Sequence, residues 1–278
     1  MTSRPDRADS GIAVARSFLF VPGHRADRFG KARDSGADQV VCDLEDAVGP
    51  DSKQAARART VAWLASGGSA CVRLNAPGTP WHEEDLAALA DLPGLRGVVV
   101  PKAEDPEALA AVAERCAVPV IALVETARGL LQALSLSEVP GVARLAFGSV
   151  DFSLDIASEE EQLALLHARS SLVVASRAGG LAPPVDGVTT ALEDDALLRR
   201  DAKHAASLGF GAKLCIHPRQ VSAVNETFSP SPDQVAWATK VLAACPEGEV
   251  GVVDAEMVDR PVLERARGVI ARHERLGR

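Results

Sequence analysis

The sequence contains no tyrosine, and aromatic residues of all kinds make up only 4% of its 278 positions. With a formal net charge of -8 and no Lys/Arg cluster set among aromatics, it lacks the basic, stacking surface that nucleic acids require. No apolar run approaches the roughly 18 to 20 residues that cross a bilayer. The opening MTSRPDRADSG has no apolar signal core either, so no membrane partner is expected and the expected location is the cytoplasm. The five cysteines, Cys42, Cys71, Cys116, Cys215 and Cys245, form no C-x-x-C pair and no zinc spacing. They read as reduced, buried small hydrophobes, three of them inside strands. There is no Gly-rich phosphate loop of the Walker or Rossmann kind, and Ser149 in F-G-S-V-D does not sit in a G-x-S-x-G elbow. Those absences exclude nucleotide-loop and serine-hydrolase chemistry.

What is present is a repeated pattern. Eight short apolar runs are spaced along the chain: FLFVPG (18–23), VVCDLED (40–46), CVRLN (71–75), VVVPK (98–102), VIALVE (120–125), LAFGSVD (145–151), PVDGV (184–188) and LCIHP (214–218). Almost every run ends in a residue that is costly to bury alone, and stretches with helical periodicity separate the runs. Strand alternating with helix predicts an α/β fold, an eight-stranded parallel (β/α)8 or TIM barrel, whose strand ends form one polar face. Helix signals include Ser52 before KQAARARTVAWLA, Asp105-Pro106 before EALAAVAERC, and SEEEQLALLHARSSLVVASRAGG read as one helix from Ser158 to the Gly179-Gly180 stop. Residues 1–15 read as a loose polar tail and 16–228 as the barrel. The Ser229-Pro230-Ser231-Pro232 break opens a C-terminal helical extension, 229–278. That extension holds two short extended pieces and the amphipathic VLERARGVIARHERL, with too little apolar surface to stand alone.

The strand-end residues carry the chemistry. Glu125 and Asp151 end neighbouring strands, so their carboxylates either share one hard divalent cation, Mg²⁺ by oxygen-only ligation, or make two separate rim salt bridges. Arg73, on the same strand face as Cys71 and Asn75, needs an anion: the carboxylate of a 2-oxo acid, or Asp43, Glu45 or Asp46. Lys102 poses the same choice between an ion pair and substrate. Glu45 and Asp46 could hold metal-bound waters. His217 reads as a hydrogen-bonded loop anchor.

Taken in order, R-S-F-L-F-V-P-G, D-L-E-D-A-V with K-x-x-A-R (Lys53 to Arg57), V-R-L-N, V-P-K-A-E, L-V-E-T-A-R-G, F-G-S-V-D, P-V-D-G-V, G-F-G-A-K-L-C-I-H-P-R-Q and M-V-D-R-P resemble the citrate lyase beta-subunit family, within the larger group of barrel aldolases and acyl-CoA lyases. The resemblance implies a Mg²⁺-dependent lyase that cleaves a 3-hydroxy-acyl-CoA thioester of the malyl, citramalyl or citryl type into an acyl-CoA and a 2-oxo acid such as oxaloacetate. It places the metal on Glu125 and Asp151, the keto-acid carboxylate on Arg73, and a proton-handling aspartate at Asp259, on a C-terminal lid shared between subunits of a homotrimer. Asp259 could equally cap the helix that follows it. The turn often written Asp-Gly in the family is Asp254-Ala255 here, which implies a differently shaped lid hairpin. Arg25 and Lys31 are candidates for coenzyme A phosphates, or ordinary helix-surface residues. Two other functions stay open: a citrate lyase beta subunit acting on an acyl carrier protein within a complex, and a barrel that binds a metabolite without catalysis.

Overall fold

The computed structural model describes residues 11–245, 251–253 and 256–277. Eight parallel strands close on themselves in chain order: β1 (Ser17–Pro22), β2 (Gln39–Asp43), β3 (Ala70–Arg73), β4 (Leu95–Val100), β5 (Val120–Val124), β6 (Val142–Phe147), β7 (Val185–Asp186) and β8 (Ala212–Cys215), with β8 pairing back onto β1. Each of the eight apolar runs contains at least half of one strand. The strands are apolar on both faces because one face fills the barrel and the other meets helices. Phe18, Val41, Cys71, Val99, Ile121 and Leu214 belong to the interior cluster, and all five cysteines are buried thiols.

The helices follow as α1 (Phe29–Arg33), α2 (Lys53–Ala65), α3 (His82–Leu89), α4 (Pro106–Cys116), α5 (Ala127–Leu131), α6 (Ala133–Glu138), α7 (Ser149–Asp155), α8 (Leu166–Ala178), α9 (Asp195–Leu208) and α10 (Arg219–Thr227). Their ends obey local chemistry. The Asp105 carboxylate accepts from Glu107 N at 2.9 Å ahead of Pro106, and α9 stops at Gly209, whose φ of 107° suits a residue without Cβ. Three expectations are corrected. Ser52 sits at the N-cap of α2 but makes no capping bond. The helix read from Ser158 begins only at Leu166, because Glu160 turns to take a hydrogen bond from Ser149 Oγ. Residues 11–15 are not a loose tail: Ile12 and Ala15 are buried in the barrel cluster, where a fully buried isoleucine contributes about 2 kcal/mol. Arg144, in β6, fastens this segment by donating from Nη1 to the carbonyls of Ile12 (3.0 Å) and Ala15 (2.7 Å).

The chain divides into two compact units, Met1–Asn225 and Glu226–Arg278, a few residues before the edge placed at 228. The second unit holds α11 (Pro232–Ala244), the antiparallel pair β9 (Gly251–Val253) and β10 (Glu256–Val258), and α12 (Arg260–Leu276). Ser231 and Gln234 close a reciprocal capping box on α11, and Val241, Val253, Val258 and Leu263 form a small core. The Asp254-Ala255 turn lies outside the described residues. Among the described residues no helix is long and apolar enough to cross a membrane.

Candidate active site

At the carboxyl end of β5, Glu125 is 1% exposed. Its Oε1 accepts from Lys102 N at 2.8 Å, while Oε2 is buried with no hydrogen-bond partner. Lys102 takes φ of 48°, a left-handed conformation costing a non-glycine residue about 1 kcal/mol, and so aims its N–H at the carboxylate. Gly148, just after β6, makes room for Glu125, since a Cβ there would lie 2.6 Å from Oε2. Burial, with repulsion from Asp151 added, pushes the Glu125 carboxyl up to about 7, against the Lys102 N–H that favours its ionised form. Asp151 was expected at the end of the sixth strand; it lies in the first turn of α7, because β6 stops at Phe147 and the helix starts at Ser149. It lines the same cavity as Glu125, with a volume of about 350 Å³.

Across that cavity, β2 and β3 build a second polar corner. Arg73 is gripped in a two-pronged bond by Asp43, Nε to Oδ1 at 2.7 Å and Nη2 to Oδ2 at 2.6 Å. Its Nη1 stands 2.9 Å from Glu45 and 3.7 Å from Asp46, and its guanidinium lies 4.8 Å from the centre of the Phe20 ring. Burial disfavours the charged arginine, but Asp43, Glu45 and Asp46 outweigh it and its pKa is raised. The acids hold Arg73, the one of its two readings that the contacts show, and it also lines the cavity. Asn75, expected beside it on the interior face, lies past the end of β3 and bonds Asp85 of α3 instead. Asp43 also accepts from Glu45 N and Ala47 N, so its four contacts shape the whole loop. Glu45 accepts no hydrogen bond at either oxygen, and burial, opposed by Arg73, pushes it up to about 8. Lys102 Nζ is 3.8 Å from Glu45, on the half-exposed side of the site.

Other candidates lie elsewhere. Arg25 is paired with Asp27 at 2.8 Å, Lys31 is exposed on α1, and neither lines the cavity. His217 Nδ1 accepts from Arg219 N at 3.2 Å, as a loop anchor would. Buried Ser149 donates to Glu160. In the second unit, Asp259 caps α12 by accepting from Val262 N at 3.3 Å. Sequence reasoning missed Gly148 and Phe20, and gave no role to Lys53; only the K-x-x-A-R spacing signalled that Lys53 mattered.

The donor set suits a hard divalent cation. Glu125 offers an oxygen that burial leaves bare, Asp151 offers a second carboxylate, and the surrounding acids Asp43, Glu45 and Asp46 outnumber Arg73 and Lys102. Among the described residues no three His, Cys, Asp or Glu side chains gather into a complete cage. A two-carboxylate set leaves the remaining positions to water and substrate oxygens, as Mg²⁺ prefers.

Comparison with known proteins places the chain in a family. A protein of Deinococcus radiodurans called citrate lyase subunit beta-like is 39% identical, covering 94% of this chain and 98% of its own length. A (3S)-malyl-CoA thioesterase of Cereibacter sphaeroides is 34% identical over 93% of this chain and 94% of its own. Among solved structures, CitE of Mycobacterium tuberculosis, in complex with magnesium, acetoacetate and coenzyme A, superposes with a TM-score of 0.82 at 33% identity, covering 94% of this chain and 99% of CitE. Residues 16–218 match the HpcH/HpaI aldolase/citrate lyase model, a group named for enzymes that break carbon–carbon bonds, and the chain belongs to that family.

Proposed function

We propose that this chain is a Mg²⁺-dependent carbon–carbon lyase that splits a 3-hydroxy-acyl-CoA thioester into an acyl-CoA and a 2-oxo acid. The observation that carries this reading is the bare Oε2 of Glu125, buried in the cavity that Asp151 and Arg73 also line. Glu125 and Asp151 would hold the ion, which when bound supplies positive charge where the oxygens of the nascent oxo acid gather charge. Arg73 binds the carboxylate through the N–H groups that Asp43 leaves free, and because Asp43 fixes the fork, little side-chain freedom is lost on binding. Phe20, Leu123 and Leu214 form apolar walls that keep water from the carbanion-like carbon. As the carbon–carbon bond breaks, the 3-hydroxyl gives its proton to a carboxylate lining the cavity and becomes the oxo group, while the electron pair of the broken bond passes to the α-carbon of the thioester, which takes a proton. We assign that proton to the Asp259 carboxyl, brought by the C-terminal segment of an adjacent subunit in a homotrimer. Arg25, half-buried, and Lys31, exposed, at the β1–α1 side are offered to the phosphates of coenzyme A.

The cavity also speaks to the acyl group. Arg73 is its single lining cation beside three lining acids, and its walls are apolar. A hydrogen or methyl on the oxo carbon suits that lining; the second carboxylate of oxaloacetate would be desolvated without a partner. Malyl- or citramalyl-CoA is therefore favoured over citryl-CoA.

The test is incubation of the purified protein with malyl-, citramalyl- and citryl-CoA, with and without Mg²⁺, following the 2-oxo acid and the acyl-CoA. Mg²⁺-dependent release of both from the first two is expected. Silence with all three sinks the reading and points to an acyl carrier protein substrate or to metabolite binding alone. Free coenzyme A with an intact hydroxy acid would show a thioesterase instead.

A further inference from the structure

Lys53 opens α2 and is buried, with 6% exposure, although lysine is among the residues least often found inside. Among the described residues its ammonium makes no ion pair. It donates to two backbone carbonyls, Leu44 O and Glu45 O, each at 2.8 Å, and stands 5.2 Å from the centre of the Trp81 ring. Those carbonyls belong to the loop that carries Glu45 and Asp46 into the site. One turn later on the same helix, Arg57 is also buried and grips Asp85 of α3, Nε to Oδ1 at 2.7 Å. The other oxygen of Asp85 accepts from both Asn75 N (2.9 Å) and Asn75 Nδ2 (2.7 Å), and His82 Nδ1 bonds Asn75 O at 2.7 Å. Asn75 lies two residues beyond Arg73.

The i, i+4 spacing of Lys53 and Arg57 puts both on one side of α2. From there one cation reaches the loop after β2 and the other, through Asp85, the exit of β3. These are the two segments whose side chains, Asp43 and Glu45 on one and Arg73 on the other, must meet to form the anion-binding corner. We infer that Lys53 and Arg57 are positioning residues that lock the two loops in register, so that Arg73 is presented at a fixed angle to the carboxylate it binds. Neither touches substrate. Glu125 and Asp151 hang from β5 and α7 and share no bond with this bracket. The inference takes its ligand from the lyase reading, but the geometry of the bracket stands apart from it.

The experiment compares the full-length protein with its Lys53→Met variant, which keeps the length of the side chain and removes the donors. Hydrogen exchange at the Glu45 and Ala47 amides, both bonded to Asp43, should speed up selectively. Pyruvate, titrated in the presence of Mg²⁺, should bind about tenfold more weakly, the loss expected for misaligning one charge-assisted bond. Mg²⁺ alone should bind as before. When Lys53→Met is added to Arg73→Lys, pyruvate affinity should fall little further, because both act through one guanidinium. Should Lys53→Met fail to fold, Trp81→Leu, which frees the ammonium from its aromatic wall, should shift the same readouts in the same direction by a smaller factor. Unchanged exchange at Glu45 and Ala47 overturns the bracket whatever the substrate proves to be. So does an equal loss of Mg²⁺ and pyruvate binding, or a multiplicative effect with Arg73→Lys. If the unmodified protein binds neither pyruvate nor glyoxylate while exchange responds as stated, the lyase reading falls and the bracket stands.

Discussion

The two corners of the barrel mouth are built on opposite plans. At the β2–β3 corner Asp43 makes four contacts and Arg73 is gripped on two sides. At the β5–β6 corner Glu125 has one oxygen bonded and the other bare, with Asp151 left half-buried beside it. The Asp43–Arg73 pair is saturated before any ligand arrives, as orienting a planar carboxylate would require, although Glu45 beside it accepts no hydrogen bond. An unsaturated corner holds a carboxylate whose buried charge is relieved by a proton or by a cation, so its ionised form favours binding over the stability of the empty protein. Under the lyase reading, the same residue type, a buried acid, would serve stability on one side of a cavity and function on the other.

The sharpest way to break this contrast is at its unsaturated end. Glu125→Gln should lower turnover by about a thousandfold, on the scale of removing one preorganised charge-stabilising group, while the empty protein melts no lower than before. Loss of both activity and melting temperature would mean that Glu125 is structural. At the other corner Asp43→Asn should cost about 3 kcal/mol of stability, because it strands the Arg73 guanidinium. Urea unfolding measures it, and a loss below about 1 kcal/mol would deny that this corner is held by the pair.

pH sharpens the comparison further. The Glu125 pKa is raised to about 7 in the fold, so its contribution to stability is complete below the unfolded value near 4.5 and is lost as pH rises through 7. Glu45, raised to about 8, acts in the same direction one unit higher. The empty protein should therefore lose stability between pH 6 and 8, while Mg²⁺, which competes with the proton, should raise the melting temperature more at pH 8 than at pH 6. Equal Mg²⁺ shifts at the two values would uncouple the carboxylate from the ion. The smallest effect is expected from Gly148→Ala: the added methyl crowds Glu125 Oε2 and should weaken Mg²⁺ binding by a few-fold, with the Arg73 corner untouched. Calorimetric titration with Mg²⁺ is the check.

Much of this was legible from the chain. The barrel could be read because each strand is a run of apolar residues that stops at a polar one, and that stop marks the mouth. Asp151 was placed within the right cavity but on the wrong element, since sequence does not show that Gly148 ends β6 and lets a helix begin at once. The over-long helix before Leu166 kept its 3.6-residue pattern on paper, yet Glu160 found a partner in Ser149 eleven positions back. The burial of Ile12 was hidden by the polar stretch 1–10 that precedes it and by an anchor, Arg144, far along the chain. Lys53 was visible as a residue but not as a contact, because its partners are backbone carbonyls, which no residue type announces.

The Ile12–Ala15 segment and Arg144 have a consequence for traffic. With an isoleucine seated in the interior cluster and an arginine tying its carbonyls down, the amino-terminal end of the cylinder has a floor. Among the described residues, the cavity that Arg73 and Glu125 line then opens at the other end. Under the lyase reading the acyl end of the thioester dips in, the oxo acid must leave by the way it came, and the arm that delivered it hangs outside. The chemistry at the bottom would then be indifferent to what that arm is tethered to, and the choice of carrier would be made at the rim.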